Sequence, residues 1–129
     1  MKPTLTTSSR DDKTRFRVEI KHAVAIGPGK ADVLEGIAET GSIAETGRRL
    51  GMSYQKIWSL VADMNADFVE PLVTKQRGGA SGGGAKLTPT GEHVLKIYRE
   101  IENDAQRAIA KRLPELVSLI RPDAGREPR

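Results

Sequence analysis

Gly41-Ser42-Ile43-Ala44-Glu45-Thr46-Gly47-Arg48-Arg49-Leu50-Gly51-Met52-Ser53-Tyr54-Gln55-Lys56-Ile57 is the stretch whose reading decides the fold. Ser42 followed three residues later by Glu45 is a capping-box pattern. The serine oxygen accepts from the third backbone N–H, and the glutamate reaches back to the Ser42 N–H. Gly47 keeps the middle of that helix thin. A glycine there costs ~1 kcal/mol relative to alanine, so a closely crossing neighbour is expected. Gly51 stands just past Leu50, where a helix end favours a left-handed residue. Ser53 then caps the next helix. That helix carries Ile57, Leu60, Val61, Met64 and Phe68 on one face. Two helices joined by so short a turn containing glycine read as a helix-turn-helix. Tyr54, Gln55, Lys56 and Ser59 lie off the apolar stripe, at the N-terminal end of the second helix.

Downstream, Pro71 blocks helix continuation. Leu72-Val73-Thr74-Lys75-Gln76-Arg77 suits an outgoing strand, residues 78–85 a glycine-rich loop, and Lys86-Leu87 the returning strand. The loop invites a phosphate-loop reading, but that pattern needs Gly-Lys-Ser/Thr opening a helix. Here Ala85 separates Gly84 from Lys86, Leu87 follows, and the loop lies inside a hairpin. A wing tip that lies against phosphates or enters a minor groove, or a linker with no ligand, fits better. Thr88-Pro89 opens a last long helix, with threonine as cap and proline at the first helical position. Val94, Tyr98, Ile101, Ala105 and Ala108 step by four, three, four and three along it. That spacing suits a coiled-coil seam or packing against the core. Pro114 is expected to interrupt the helix. Leu116, Val117, Leu119 and Ile120 would then form a short second helix covering the seam, with residues 121–129 as tail.

Upstream, residues 1–14 are polar and read as a disordered tail. Residues 16–26 alternate, with Phe16, Val18, Ile20, His22, Val24 and Ile26 on one side. That predicts one half-buried strand, able to join the wing hairpin or to pair across a dimer. His22 reads as a partly buried histidine and not a ligand. Gly27-Pro28-Gly29 reads as a turn. A helix follows over residues 30–40, with Val33, Leu34, Ile37 and Ala38 inward and Gly41 at its end. The predicted fold class is mainly α with a small β component: a winged helix-turn-helix over residues 15–120, with a long C-terminal dimerisation helix.

Composition narrows the function. With 129 residues the chain carries one modest core. It has no cysteine, so disulfides and thiolate metal sites are excluded. Two histidines far apart do not make a metal site. Few aromatics argue against a deep cofactor pocket, and no cofactor is expected. No apolar run approaches membrane-spanning length, and the first residues lack the apolar core of a signal peptide. A cytoplasmic protein is expected. No nucleophile turn or paired catalytic carboxylates are visible, so an enzyme is not expected. Net charge is +4, a mild pointer to nucleic acid. Residues 71–99 carry Lys75, Arg77, Lys86, Lys96 and Arg99 against the single acid Glu92. Residues 31–70 lean acidic, with seven acids against Arg48, Arg49 and Lys56.

The run Leu87-Thr88-Pro89-Thr90-Gly91-Glu92 after Glu70-Pro71-Leu72-Val73 resembles the LysR-type winged helix. Gly41-Ser42-Ile43, Gly51-Met52-Ser53-Tyr54, Trp58, Met64-Asn65 and the glycine-rich wing before Leu87-Thr88 resemble the DNA-binding domain of the molybdate-responsive ModE regulators, over residues 28–105. Those regulators usually carry a C-terminal pair of small β-barrel domains that bind molybdate. This sequence ends about where those would begin and lacks their Ser-Ala-Arg-Asn type motif. The resemblance therefore implies the DNA-binding part without molybdate binding.

The expected function is a homodimeric regulator on palindromic double-stranded DNA. Gln55 and Ser59 would read base edges, and glutamine suits adenine. Tyr54 would meet a thymine methyl or a phosphate. Ser53, Arg48, Lys56, Arg77 and Lys86 complete the DNA-binding set, the charged ones on the backbone. Trp58 either packs between recognition helix and wing or contacts DNA. The alternative is an adaptor that heterodimerises with a full-length ModE-like regulator without reading DNA itself.

Overall fold

The computed structural model describes residues 16–20, 23–76 and 84–125. The polar N-terminal stretch, His22, Arg77, the wing tip at 78–83 and residues 126–129 lie outside the described residues. The order is β1 (Val18–Ile20), β2 (Ala23–Ile26), α1 (Pro28–Thr40), α2 (Ile43–Leu50), α3 (Tyr54–Asp67), β3 (Val73–Gln76), β4 (Gly84–Leu87) and α4 (Pro89–Ser118). The described residues from Phe16 to Arg99 belong to one compact unit, and the rest of α4 from Glu100 onward to another.

The predicted single strand at 16–26 is instead a hairpin. β1 pairs antiparallel with β2, with a register irregularity between Val18 and Glu19. Alternation alone does not reveal a chain reversal, because both arms of a hairpin keep the two-residue period. The face assignment suffers accordingly: Ala25 is buried and Val18 is exposed. This sheet stands apart from the β3–β4 sheet and does not extend the wing.

Helix α1 begins earlier than predicted. Gly27 is the N-cap and Pro28 takes the first helical position, where its missing N–H is no loss. The side chain of Lys30 donates to the Val24 carbonyl and fastens the helix start to β2. Its buried face is Ala31, Val33, Leu34 and Ile37, while Ala38 is exposed. Gly41 ends the helix in the left-handed region at φ 67°.

Half of the predicted capping box forms. The Ser42 hydroxyl accepts from the Glu45 N–H at 3.1 Å. The Ser42 N–H, however, donates to Thr40 Oγ1 at 3.1 Å, and Glu45 turns to Arg48 instead. Thr46 is fully buried and donates to the Ser42 carbonyl at 2.7 Å.

The core joins the helices to the wing. Leu34 and Ile37 of α1, Ile43 of α2, Ile57, Val61 and Met64 of α3, and Leu72 and Leu87 beside and in the wing are buried together. Fully burying each such side chain is worth ~1.5–3 kcal/mol. β3 and β4 pair Val73 with Leu87, Thr74 with Lys86, Lys75 with Ala85 and Gln76 with Gly84. Gly84 and Ala85, predicted as loop, therefore belong to the returning strand. They also meet the α1–α2 corner, through a bridge between Ser42 and Gly84 and an Ala85 N–H to Gly41 carbonyl bond of 3.0 Å. Lys86 thus sits in a strand, and the phosphate-loop geometry is absent from this position.

Thr88 caps α4 as predicted, accepting from the Gly91 N–H at 2.9 Å. Pro114 does not interrupt α4, which runs through it to Ser118. Among the described residues no second helix follows it. Leu116, Leu119 and Ile120 are exposed. The upper part of the predicted seam is filled from within the same unit. Tyr98 is buried, its ring stacked on Phe16 at 4.5 Å and its hydroxyl donating to the Phe16 carbonyl at 2.7 Å. Val94 packs partly against the core.

Candidate nucleic-acid interface

The turn between α2 and α3 is built from backbone. Gly51 is left-handed at φ 66°, and the Met52 N–H donates to the Gly47 carbonyl at 2.9 Å. A Cβ on Gly47 would lie 2.6 Å from the Met52 carbonyl oxygen. This is the close crossing the sequence called for. The Ser53 hydroxyl accepts from the Lys56 N–H at 3.0 Å, a cap worth ~1 kcal/mol. The same hydroxyl still carries a proton to donate outward.

Capping and the buried stripe together fix how α3 is presented. Ile57, Val61 and Met64 face the core. Tyr54, Gln55, Lys56 and Ser59 are exposed on the first turns. The positive end of the helix dipole lies here, where it favours phosphate oxygens. The far end is different: Asp63 and Asp67 are exposed there. A polyanion is accommodated along the first two turns of α3 better than along the last.

The wing is tied to α3 by one amide. Asn65 accepts from the Leu72 and Val73 N–H groups at 2.8 and 3.1 Å and donates to the Val73 carbonyl at 3.1 Å. Thr88 closes the other side, donating to the Pro71 carbonyl at 2.7 Å, while its N–H donates to the Leu72 carbonyl at 2.9 Å. Gly91 is required because a Cβ there would fall 2.1 Å from the Leu72 carbonyl oxygen. Met64-Asn65 and Thr88-Pro89-Thr90-Gly91 thus hold the segment that launches the wing.

Strand alternation divides the wing lysines. Lys86 is exposed and paired with Thr74 on one face. Lys75 lies on the opposite face with Val73, Ala85 and Leu87. Its ammonium sits 4.7 Å from the centre of the Trp58 ring. Trp58 is half-buried against the core and meets Tyr54 edge-on at 6.3 Å. It packs between recognition helix and wing. By sequence, Lys75 counts in the basic stretch of residues 71–99 but not in the DNA-binding set, and its contact with Trp58 is not foreseen. The two-residue period of β3 was the available signal, since it carries Lys75 to the face that looks toward α3. Arg77 lies outside the described residues.

Arg48 is exposed in the last turn of α2, but it has a partner. Its Nε and Nη2 donate to Glu45 at 3.1 and 2.6 Å. The hydrogen bond and charge of Arg48 hold the Glu45 carboxyl below the usual carboxylate range, and Glu45 in turn raises the guanidinium. Other acids of residues 31–70 are also matched. Glu39 pairs with Arg49 at 2.7 Å, and Asp32 and Glu35 meet Arg99 at 2.9 and 3.2 Å. Four of the seven acids of residues 31–70 thus face guanidinium groups, with Asp32 and Glu35 sharing that of Arg99. Among the described residues no group of His, Asp or Glu side chains is placed to hold a metal ion, and no helix is long and apolar enough to cross a membrane.

The profile of bacterial regulatory helix-turn-helix proteins of the lysR family matches residues 30–92. Those residues form a LysR-type helix-turn-helix domain. Around it the chain is homologous to molybdenum-related regulators. It is 42% identical to the molybdenum-pterin-binding protein MopB of Rhodobacter capsulatus over 77 residues, covering 60% of this chain and 28% of MopB. It is 33% identical to the transcriptional regulator ModE of Yersinia pestis over 91 residues, 70% of this chain and 35% of that protein. It is 30% identical to the DNA-binding transcriptional dual regulator ModE of Escherichia coli K12, with the same coverage of 70% and 35%. The matched region spans about a third of the length of these relatives. The CbnR_DBD–DNA complex shares the fold, with a TM-score of 0.54 at 24% identity over 68% of this chain and 95% of that one. The LysR-type domain occupies α1 to the start of α4, the elements that place Tyr54, Gln55, Lys56 and Ser59 at the surface.

Proposed function

We propose that this chain is a sequence-specific transcriptional regulator that binds double-stranded DNA as a homodimer on a palindromic site. One observation carries the reading. The first turns of α3 present Tyr54, Gln55, Lys56 and Ser59 outward from a helix whose opposite face is locked into the core. A helix of this kind enters the major groove with its N-terminal residues on the base edges. Gln55 and Ser59 read bases, Tyr54 contacts a thymine methyl or phosphate, and Ser53, Lys56, Arg48, Arg77 and Lys86 hold the backbone. That the ModE relatives are transcriptional regulators supports this reading.

The lower half of α4 supports dimerisation. Ile101, Ile109 and Leu116, with Leu119 and Ile120 just past its end, leave 36–79% of their surface exposed, and Ile101, Ala105, Ala108 and Leu116 follow one side of the helix. A second copy laid on that side would bury it. A dimeric helix-turn-helix reads two half-sites about 34 Å apart, one DNA turn, or a multiple of it.

The test is selection of bound sequences from a random duplex pool, with salt titration on the winner and on random duplex. The expected result is an inverted repeat with half-sites one DNA turn apart or a multiple of it, and steeply salt-dependent affinity. An adaptor that only heterodimerises with a longer regulator would enrich no sequence and show no salt slope.

A further inference from the structure

We infer that Trp58 is a positioning residue that presents the Lys75 ammonium to the DNA backbone and couples the wing to the recognition helix. This rests on the DNA-binding reading above and adds a contact and its mechanism.

Two kinds of partner hold basic side chains around the helix-turn-helix. Arg48, Arg49 and Arg99 are held by carboxylates. Lys75 is held by an aromatic face, with no acid paired to it among the described residues. The difference matters for a polyanion. A carboxylate orients a cation but cancels its charge at a distance. An indole face attracts the cation through its quadrupole and leaves the net charge intact. An ammonium has three donors. With one directed at the ring, the others remain for phosphate oxygens.

The geometry also links two elements. Trp58 is on the second turn of α3, edge-on to Tyr54 on the first. Lys75 is in β3, opposite Ala85, whose N–H is bonded to Gly41 before the helix-turn-helix. The row Tyr54–Trp58–Lys75 therefore spans from the base-reading turn to the wing. Holding the long Lys75 side chain in place beforehand removes rotamer entropy that a free lysine would lose on binding.

The experiment uses the full chain and fluorescence anisotropy on a labelled duplex across a salt series. Lys75→Met should weaken binding roughly tenfold at low salt and flatten the salt slope by about one unit. Lys75→Arg, which keeps the charge and also stacks on indole, should restore both. Trp58→Leu should weaken binding about threefold with the slope unchanged, because the charge is still present. In the Lys75→Met background, Trp58→Leu should cost nothing further. Trp58→Phe, which keeps a weaker ring and is the safer variant for folding, should fall between native and Trp58→Leu. The proposal is overturned if Lys75→Met leaves the slope unchanged, or if the Trp58→Leu loss is the same with and without Lys75. A native chain that binds no duplex overturns the DNA reading and this proposal with it. A native chain that binds while the Lys75 variants match it overturns this proposal alone.

Discussion

Replacing Asn65 tests whether one side chain holds the wing. Its amide makes three hydrogen bonds to the backbone of Leu72 and Val73, and both of those residues are buried. In Asn65→Ala the two N–H groups and one carbonyl lose their partner where water enters only partly. A typical net hydrogen bond is worth ~0.5–1.5 kcal/mol, and an unsatisfied buried group costs ~1–3 kcal/mol. Water reaching the space left by the shorter side chain lowers the total, so a loss of about 2–4 kcal/mol is expected. That is a large share of a domain stability of about 5–15 kcal/mol. Asn65→Leu keeps the volume and none of the bonds, so it should not recover the loss. The assay is urea unfolding followed by far-ultraviolet circular dichroism, comparing midpoints at constant slope. A change below about 0.5 kcal/mol in Asn65→Ala, or full recovery in Asn65→Leu, would show that the amide bonds do not anchor the wing.

Four further outcomes are expected. Gln55→Ala should cost ~1–3 kcal/mol on the preferred site and relax preference at one base pair. An unchanged selected sequence would remove Gln55 from base reading. Lys86→Ala should weaken all duplexes about equally and flatten the salt slope by about one unit, read by anisotropy across a salt series. Ile101→Asp puts a charge on a side chain that is already 43% exposed, so the monomer should fold while the dimer dissociates at micromolar concentration in light scattering. A monomeric native chain would refute the α4 interface. Glu45→Gln releases Arg48 from its ion pair, so binding to any duplex should strengthen and the salt slope should steepen by up to about one unit. An unchanged slope would mean that Arg48 does not reach phosphate.

The helix-turn-helix was legible because its signals are local. Ser42, Gly51 and Ser53 act within three residues of themselves, and each appears in the structure where the sequence placed it. The buried stripe of α3 follows from period alone. What escaped was set by distance along the chain or by competing partners. The period at 16–26 is shared by one strand and by a hairpin. Glu45 had two possible donors, and the guanidinium of Arg48 won over the Ser42 N–H, which Thr40 satisfied instead. Tyr98 looked like a dimer-seam residue because nothing local shows that Phe16, 82 positions away, lies on its ring. Pro114 was read as a break. Yet proline removes only one N–H from the helix ladder and crowds one carbonyl, and α4 continues through it. The seat of Lys75 on Trp58 is invisible in the sequence because the two residues are on different elements.

The charge arrangement gives the proposed interface its shape. An acidic first half looks unsuited to DNA, and net composition would place the binding surface on the wing alone. Pairing changes that conclusion. Glu39 is matched by Arg49, while Asp32 and Glu35 share the one guanidinium of Arg99, so these three acids together keep about one uncancelled negative charge. Such exposed or half-exposed pairs add little stability, about 0–1 kcal/mol each. Their consequence is a much reduced negative field on the α1–α2 side. Among the described residues, cations without a carboxylate partner include Lys56 beside Gln55 and Lys75 on Trp58, with Lys86 on the other face of the wing. The exposed acids on α3, Asp63 and Asp67, stand at its opposite end. A phosphate backbone is therefore attracted to the N-terminal end of α3 and to the wing, and repelled from the C-terminal end of α3. That gradient favours insertion of α3 end-on, with its first turns deepest in the groove. It also explains why the base-reading candidates Gln55 and Ser59 lie within one turn of each other instead of along the whole helix.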